Sequence, residues 1–163
     1  MARKTNVKTK EQDKNIPASE KVHSKKQAEQ TMVETHQILI DDKAKKLSPK
    51  SSGFINFQLA KLLETNELEL RLVSVEGGGL HSKEWIKLSE IYNVLDCQLP
   101  DKPFKSNIFK AVFKGASANN ASFLAAVLRS SDIDLIGSTE KSIFLHQLNS
   151  ELEKKKEALS KLT

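Results

Sequence analysis

With 163 residues the chain is long enough for one ordinary domain and too short for two unless both are small. Hydrophobic residues make up 38% and charged residues 29%; no run approaches the roughly 18 apolar residues of a membrane span, and the opening Met-Ala-Arg-Lys-Thr-Asn has no apolar stretch behind its charges, so neither a membrane segment nor a secretory signal is expected. Cys97 is the only cysteine, which excludes an intrachain disulfide and a zinc centre built on several thiolates, and it points to a reducing, intracellular compartment, cytoplasmic, nucleoid or nuclear.

The net charge of +5 is unevenly placed. Residues 1–50 hold 12 Lys or Arg against 7 Asp or Glu, whereas the remainder holds 14 against 14. The opening stretch to residue 26 is Lys-rich with almost no large apolar side chains, so it cannot bury enough surface to offset the entropy of ordering. It reads as a disordered basic arm, the kind of segment that neutralises phosphates or simply solubilises. Met32, Val33, Leu39 and Ile40 give a weak signal for a short helix over 27–40. Asp41–Gly53 reads as a linker ending in turn formers, which places a domain boundary near residue 51.

The folded part begins with Phe54–Glu64, whose Phe54, Ile55, Phe57, Leu59, Leu62 and Leu63 spread around most of a wheel and predict a buried helix. Leu68, Leu70 and Leu72 then alternate with Glu67, Glu69 and Arg71, the period of a half-buried strand running to Val75. Gly77, Gly78 and Gly79 stop it as a flexible turn; no Lys-Ser or Lys-Thr follows to make a phosphate loop. Ser82 can cap a helix through Trp85, Leu88, Ile91, Tyr92 and Leu95, and Pro100 and Pro103 end that region.

Lys102 to Ser131 contains five basic residues (Lys102, Lys105, Lys110, Lys114 and Arg129) and no acid. Over Lys105–Lys114 a helical projection gathers Ile108, Phe109, Ala111, Val112 and Phe113 on one arc and sets Asn107, Lys110 and Lys114 opposite. The phenylalanines thus belong to the core, and the lysines alone are available to a partner. After Gly115 a short turn leads into a helix over Asn119–Ser130 that buries Phe123, Leu124, Val127 and Leu128 and displays Ser122 and Arg129. Ile133–Ile136 and Ser142–Leu145, joined through Gly137–Lys141, predict a hairpin.

The order helix, helix, Gly-containing turn, helix, hairpin over about Ser82–Leu145 resembles a winged helix-turn-helix domain. The resemblance implies an α+β, mostly helical fold with a winged-helix-like domain over 51–145. It also implies a recognition helix at Asn119–Ser130 offering Asn119, Asn120, Ser122 and Arg129, with Lys105, Lys110, Lys114 and Lys141 on phosphates. Only one basic residue lies on that helix, which weakens base readout. Leu145, Leu148, Leu152, Leu159 and Leu162 stand at heptad spacing over a C-terminal helix at 146–163, and they either pack back on the domain or form a homodimer contact.

Neither a catalytic nor a metal constellation is legible. His81 beside Ser82 has no third partner, and Cys97 has no basic neighbour to activate it. The expected function is therefore non-catalytic binding of nucleic acid, DNA before RNA, in a regulatory or accessory role such as transcription regulation, with no cofactor. A protein-interaction adaptor is the alternative.

Overall fold

The computed structural model describes residues 35–162. Three long strands, β1 (His36–Lys45), β2 (Phe54–Leu62) and β3 (Leu68–Val75), form an antiparallel meander, and the two-residue β4 (Ile86–Lys87) pairs with β3 to complete a four-stranded sheet in the order β1-β2-β3-β4. Ile55, Phe57 and Leu59 point to one face and are fully buried, opposite Leu70 and Leu72 of β3. Asn56 and Gln58 point the other way, as the two-residue period of a strand requires. A bulge between Ile38 and Ile40 changes the parity of β1. That change brings Ala44 opposite Ile55 and into the core.

Two helices cover the inner face: α1 (Leu88–Asp96) lies against β3 and β4, and α2 (Asn120–Leu128) against β1 and β2. Between them runs a 3-10 helix, Ser106–Val112, packed mainly on α2. A second sheet of three short strands has β7 (Leu145–Leu148) between β5 (Phe104–Lys105) and β6 (Ile136–Ser138), all antiparallel. The chain then enters α3 (Leu152–Ser160).

The fold is α+β but not mostly helical: among the described residues strand accounts for 30% and helix for 27%, with two antiparallel sheets. Within Phe54–Glu64, expected to be a helix, Phe54–Leu62 is a strand because Ile55, Phe57 and Leu59 alternate with polar Asn56 and Gln58, and that period outweighs the density of apolar residues. The stretch read as the end of a helix and a linker holds β1, so a boundary at residue 51 would cut the meander between β1 and β2. Residues 1–34, with all of the expected basic arm and the start of the 27–40 helix, lie outside the described residues.

The winged helix-turn-helix arrangement is not formed. Its first helix is instead β5 followed by the seven-residue 3-10 helix, in which Phe109 and Val112, three apart, are buried as three residues per turn demands. Trp85 precedes β4 and lies outside the helix, which starts only at Leu88. The Asn119–Ser130 helix exists as α2, yet Ala121, Leu124, Ala125, Ala126, Val127 and Leu128 are all buried. A helix enclosed on nearly every side is a core element and has no face to lay in a major groove. Leu145 and Leu148 sit in β7, Leu159 is buried, and Leu148, Leu152 and Leu162 pack on the same core, so the leucine stripe is consumed by its own domain. Among the described residues no helix is long and apolar enough to cross a membrane.

Candidate nucleic-acid interface

The lysines of the acid-free window remain in solvent. Lys102, Lys105, Lys110 and Lys114 are exposed, as is Lys141 in the β6–β7 turn. Among the described residues none of the five pairs with a carboxylate. On α3 the pattern is reversed: Lys154, Lys155 and Lys156 and the adjoining Lys161 each bridge to Asp or Glu within 2.8 Å. Lys43, Lys45, Lys50 and Lys83 are likewise exposed and, among the described residues, outside these ion pairs, so the contrast is between the neutralised α3 and the free lysines of the β1 end, the Glu76–Glu84 loop and the 3-10 helix with its flanks.

The polar residues expected at a groove are placed differently. Asn120 is buried; its Oδ1 accepts the Ser82 N–H at 2.9 Å and its Nδ2 donates to the Gly115 carbonyl at 3.1 Å. Its hydrogen-bonding capacity serves the fold, so it is withdrawn from any base contact. Ser122 is half-buried and donates to the Asn119 carbonyl. Arg129 donates to the Ile143 carbonyl at 2.8 Å, and partial burial lowers its pKa. Asn119 stays exposed, with Nδ2 directed at the Leu80 carbonyl.

That last bond belongs to a feature the sequence disguised. Gly77–Gly79, which the sequence predicts as a flexible turn, open a loop from Glu76 to Glu84 that is fastened along its length. Lys46 donates to the Glu76 and Gly78 carbonyls. Gly77, Gly78 and Gly79 all take positive φ, and a Cβ on Gly79 would come within 2.9 Å of the Phe123 ring, so glycine is needed for the loop to rest on α2. Ser117 Oγ and Asn119 Nδ2 both donate to the Leu80 carbonyl, at 2.6 and 3.3 Å. At the far end Glu84 accepts from Ser82 Oγ and from the N–H groups of Lys114 and Gly115. Burial alone would raise the pKa of Glu84, yet these bonds and the Lys114 charge together hold it below the usual carboxylate value. Ser117, Asn119 and Asn120, at the turn that leads into α2, act as clamps on this loop. That use was invisible because it joins residues nearly forty positions apart.

Three other groupings escaped the sequence reading. On the outer face of the meander, the His36 ring stacks on Trp85 at 4.2 Å with 10° between planes, and the Arg71 guanidinium lies over the same indole at 4.3 Å. His36 also meets Glu69 at 2.7 Å, reaching across β2 where Ala60 leaves room. Both rings and the guanidinium are thereby engaged with one another. Second, Ser106 Oγ lies 2.8 Å from Nε2 of fully buried His146. The other ring nitrogen has no partner among the described residues, and burial, aided by Arg129, pushes the imidazole pKa down to about 4. An imidazole so weakly basic, with no carboxylate to orient it, is a poor proton acceptor for a nucleophile. Third, a groove of about 1110 Å³ between Asp96–Asp101 and Gln147–Lys154 is lined by Asp96, Asp101, Glu151 and Glu153 against a single lysine, the wrong sign for a polyanion. Cys97 is exposed.

Comparison with known proteins finds no matching family model, no similar curated protein and no similar solved structure.

Proposed function

We propose that the protein binds nucleic acid, double-stranded DNA in preference to RNA, inside the cell and in a regulatory or accessory role without catalysis. The observation that carries this reading is the contrast in pairing: Lys105, Lys110 and Lys114 are exposed and, among the described residues, unpaired, while the lysines of α3 are neutralised by neighbours. Unpaired ammonium groups release counterions when they meet phosphates, which is the main source of non-specific affinity. The Lys-rich segment before residue 27 adds eight basic residues against three acidic ones to the same term. Base reading by α2 has no part in the proposal, because that helix is enclosed.

The test is a salt titration of duplex binding by fluorescence anisotropy. Lys110→Ala with Lys114→Ala weakens binding to every sequence and flattens the slope of log affinity against log salt by about two. An unchanged slope removes the 3-10 helix from the interface. No binding by the full chain at low salt overturns the reading.

A further inference from the structure

We infer that Leu80 is an apolar wedge, held out by the Glu76–Glu84 loop to part a base step from the minor groove of duplex DNA; this deepens the nucleic-acid reading and rests on it. Leu80 is 84% exposed, more than any other large hydrophobic residue described. Exposure of this degree is ordinary on a loose loop, but this backbone is not loose. The Leu80 carbonyl takes two side-chain donors, Gly79 sits against the Phe123 ring, and the next peptide N–H but one, that of Ser82, is held by buried Asn120. The main chain is fixed on both sides of a side chain that touches little of the protein.

The surroundings decide what such a side chain meets. Lys83 is exposed three positions further along the loop, Lys46 donates to the Gly78 carbonyl on one side, and on the other the Lys114 main chain is held by Glu84, whose pKa the Lys114 charge helps to lower. Glu76 and Glu84 are the acids of this region. The first accepts the Phe54 N–H and the second the N–H groups of Lys114 and Gly115, so both carboxylates are turned to main-chain donors. A single leucine rimmed by glycines and lysines lacks the apolar collar expected where a protein pocket closes around an anchor. An apolar tip with cations on its flanks is what parts a base step while phosphates of both strands are held.

The experiment uses the full chain and a short duplex labelled at its ends for resonance energy transfer, with a fluorescent aminopurine at the central step. The expected result is a shortened end-to-end distance and brightened aminopurine on saturation, both lost in Leu80→Ala and restored in Leu80→Phe. Affinity in Leu80→Ala falls by no more than about tenfold, since the lysines still hold the backbone. Lys105→Ala with Lys110→Ala, which leaves the flanks of the loop intact, gives the complementary result, weaker binding with an unchanged bend per complex. Binding without bending, or a bend that survives in Leu80→Ala, overturns the wedge and leaves the nucleic-acid reading standing; the exposed leucine then belongs to a protein contact. No binding by the wild-type chain overturns both.

Discussion

His146 illustrates how a single residue sets a pH limit on the fold. It is fully buried on β7, with the Phe104 ring 5.8 Å away and Ser106 as its hydrogen-bond partner. Burial first, and Arg129 second, depress its pKa to about 4, below the value near 6.5 of an unfolded histidine. The unfolded chain therefore takes up a proton that the folded chain refuses. Stability from this group is complete above pH 6.5, is lost progressively as pH falls toward 4, and does not change further below that. The loss reaches at most about 3 kcal/mol. Urea unfolding at a series of pH values measures it, and His146→Phe, which removes the titrating ring, should flatten the profile between pH 6.5 and 4. A profile equally steep in that variant assigns the acid sensitivity to other groups. Nothing in the sequence announced this residue, because its burial depends on β5 and β7 meeting across forty positions.

At the scale of elements, the legible parts were those whose signal is local. β3 was read to the residue from the alternation of Leu68, Leu70 and Leu72, and α2 nearly so from its spacing and its glycine-bounded turn. The failures had a shared cause. Phe54–Leu62 is apolar enough to satisfy a helical wheel, and its alternation of Ile55, Phe57 and Leu59 with Asn56 and Gln58 prevails because both edges pair, with β1 and β3. Lys105–Lys114 carried a helical projection, but strand pairing of Phe104 and Lys105 with β7 leaves room only for a tight 3-10 turn. The candidate interface is half legible: the free lysines stand out in the sequence, while the three glycines of the clamped loop beside them predict only slack. Asn120 is the joint between these elements, and Asn120→Ala should test it. The substitution leaves the Ser82 N–H and the Gly115 carbonyl without their partner, at a cost of about 2–4 kcal/mol. Amide exchange should speed up through residues 79–84 before it does in β2 or β3. If exchange there is unchanged, the loop is held by its other contacts and Asn120 is not its anchor.

For the whole molecule, the position of β1 decides what can fold alone. The sequence suggested that the ordered part starts near residue 51, where the turn formers cluster, yet the meander begins fifteen positions earlier, at His36. β1 pairs along the full length of β2, contributes Ala44 to the core and Ile40 to its margin, and supplies the His36 ring that stacks on Trp85. A chain starting at residue 51 loses all of these and converts β2, whose Ile55, Phe57, Leu59 and Ala60 are fully buried, into an edge strand with unpaired main-chain groups. It should fail to unfold cooperatively in urea, or aggregate, whereas a chain starting at Thr35 should show a single transition with the stability of the full protein. A cooperative transition from residues 51–163 would mean that β1 is dispensable and that the core closes on β2 and β3 alone. The result also governs how DNA binding is apportioned. Only the chain starting at Thr35 separates the lysines around the 3-10 helix from the basic segment before residue 27, and its salt slope, set against that of the full chain, counts the phosphates each of them holds.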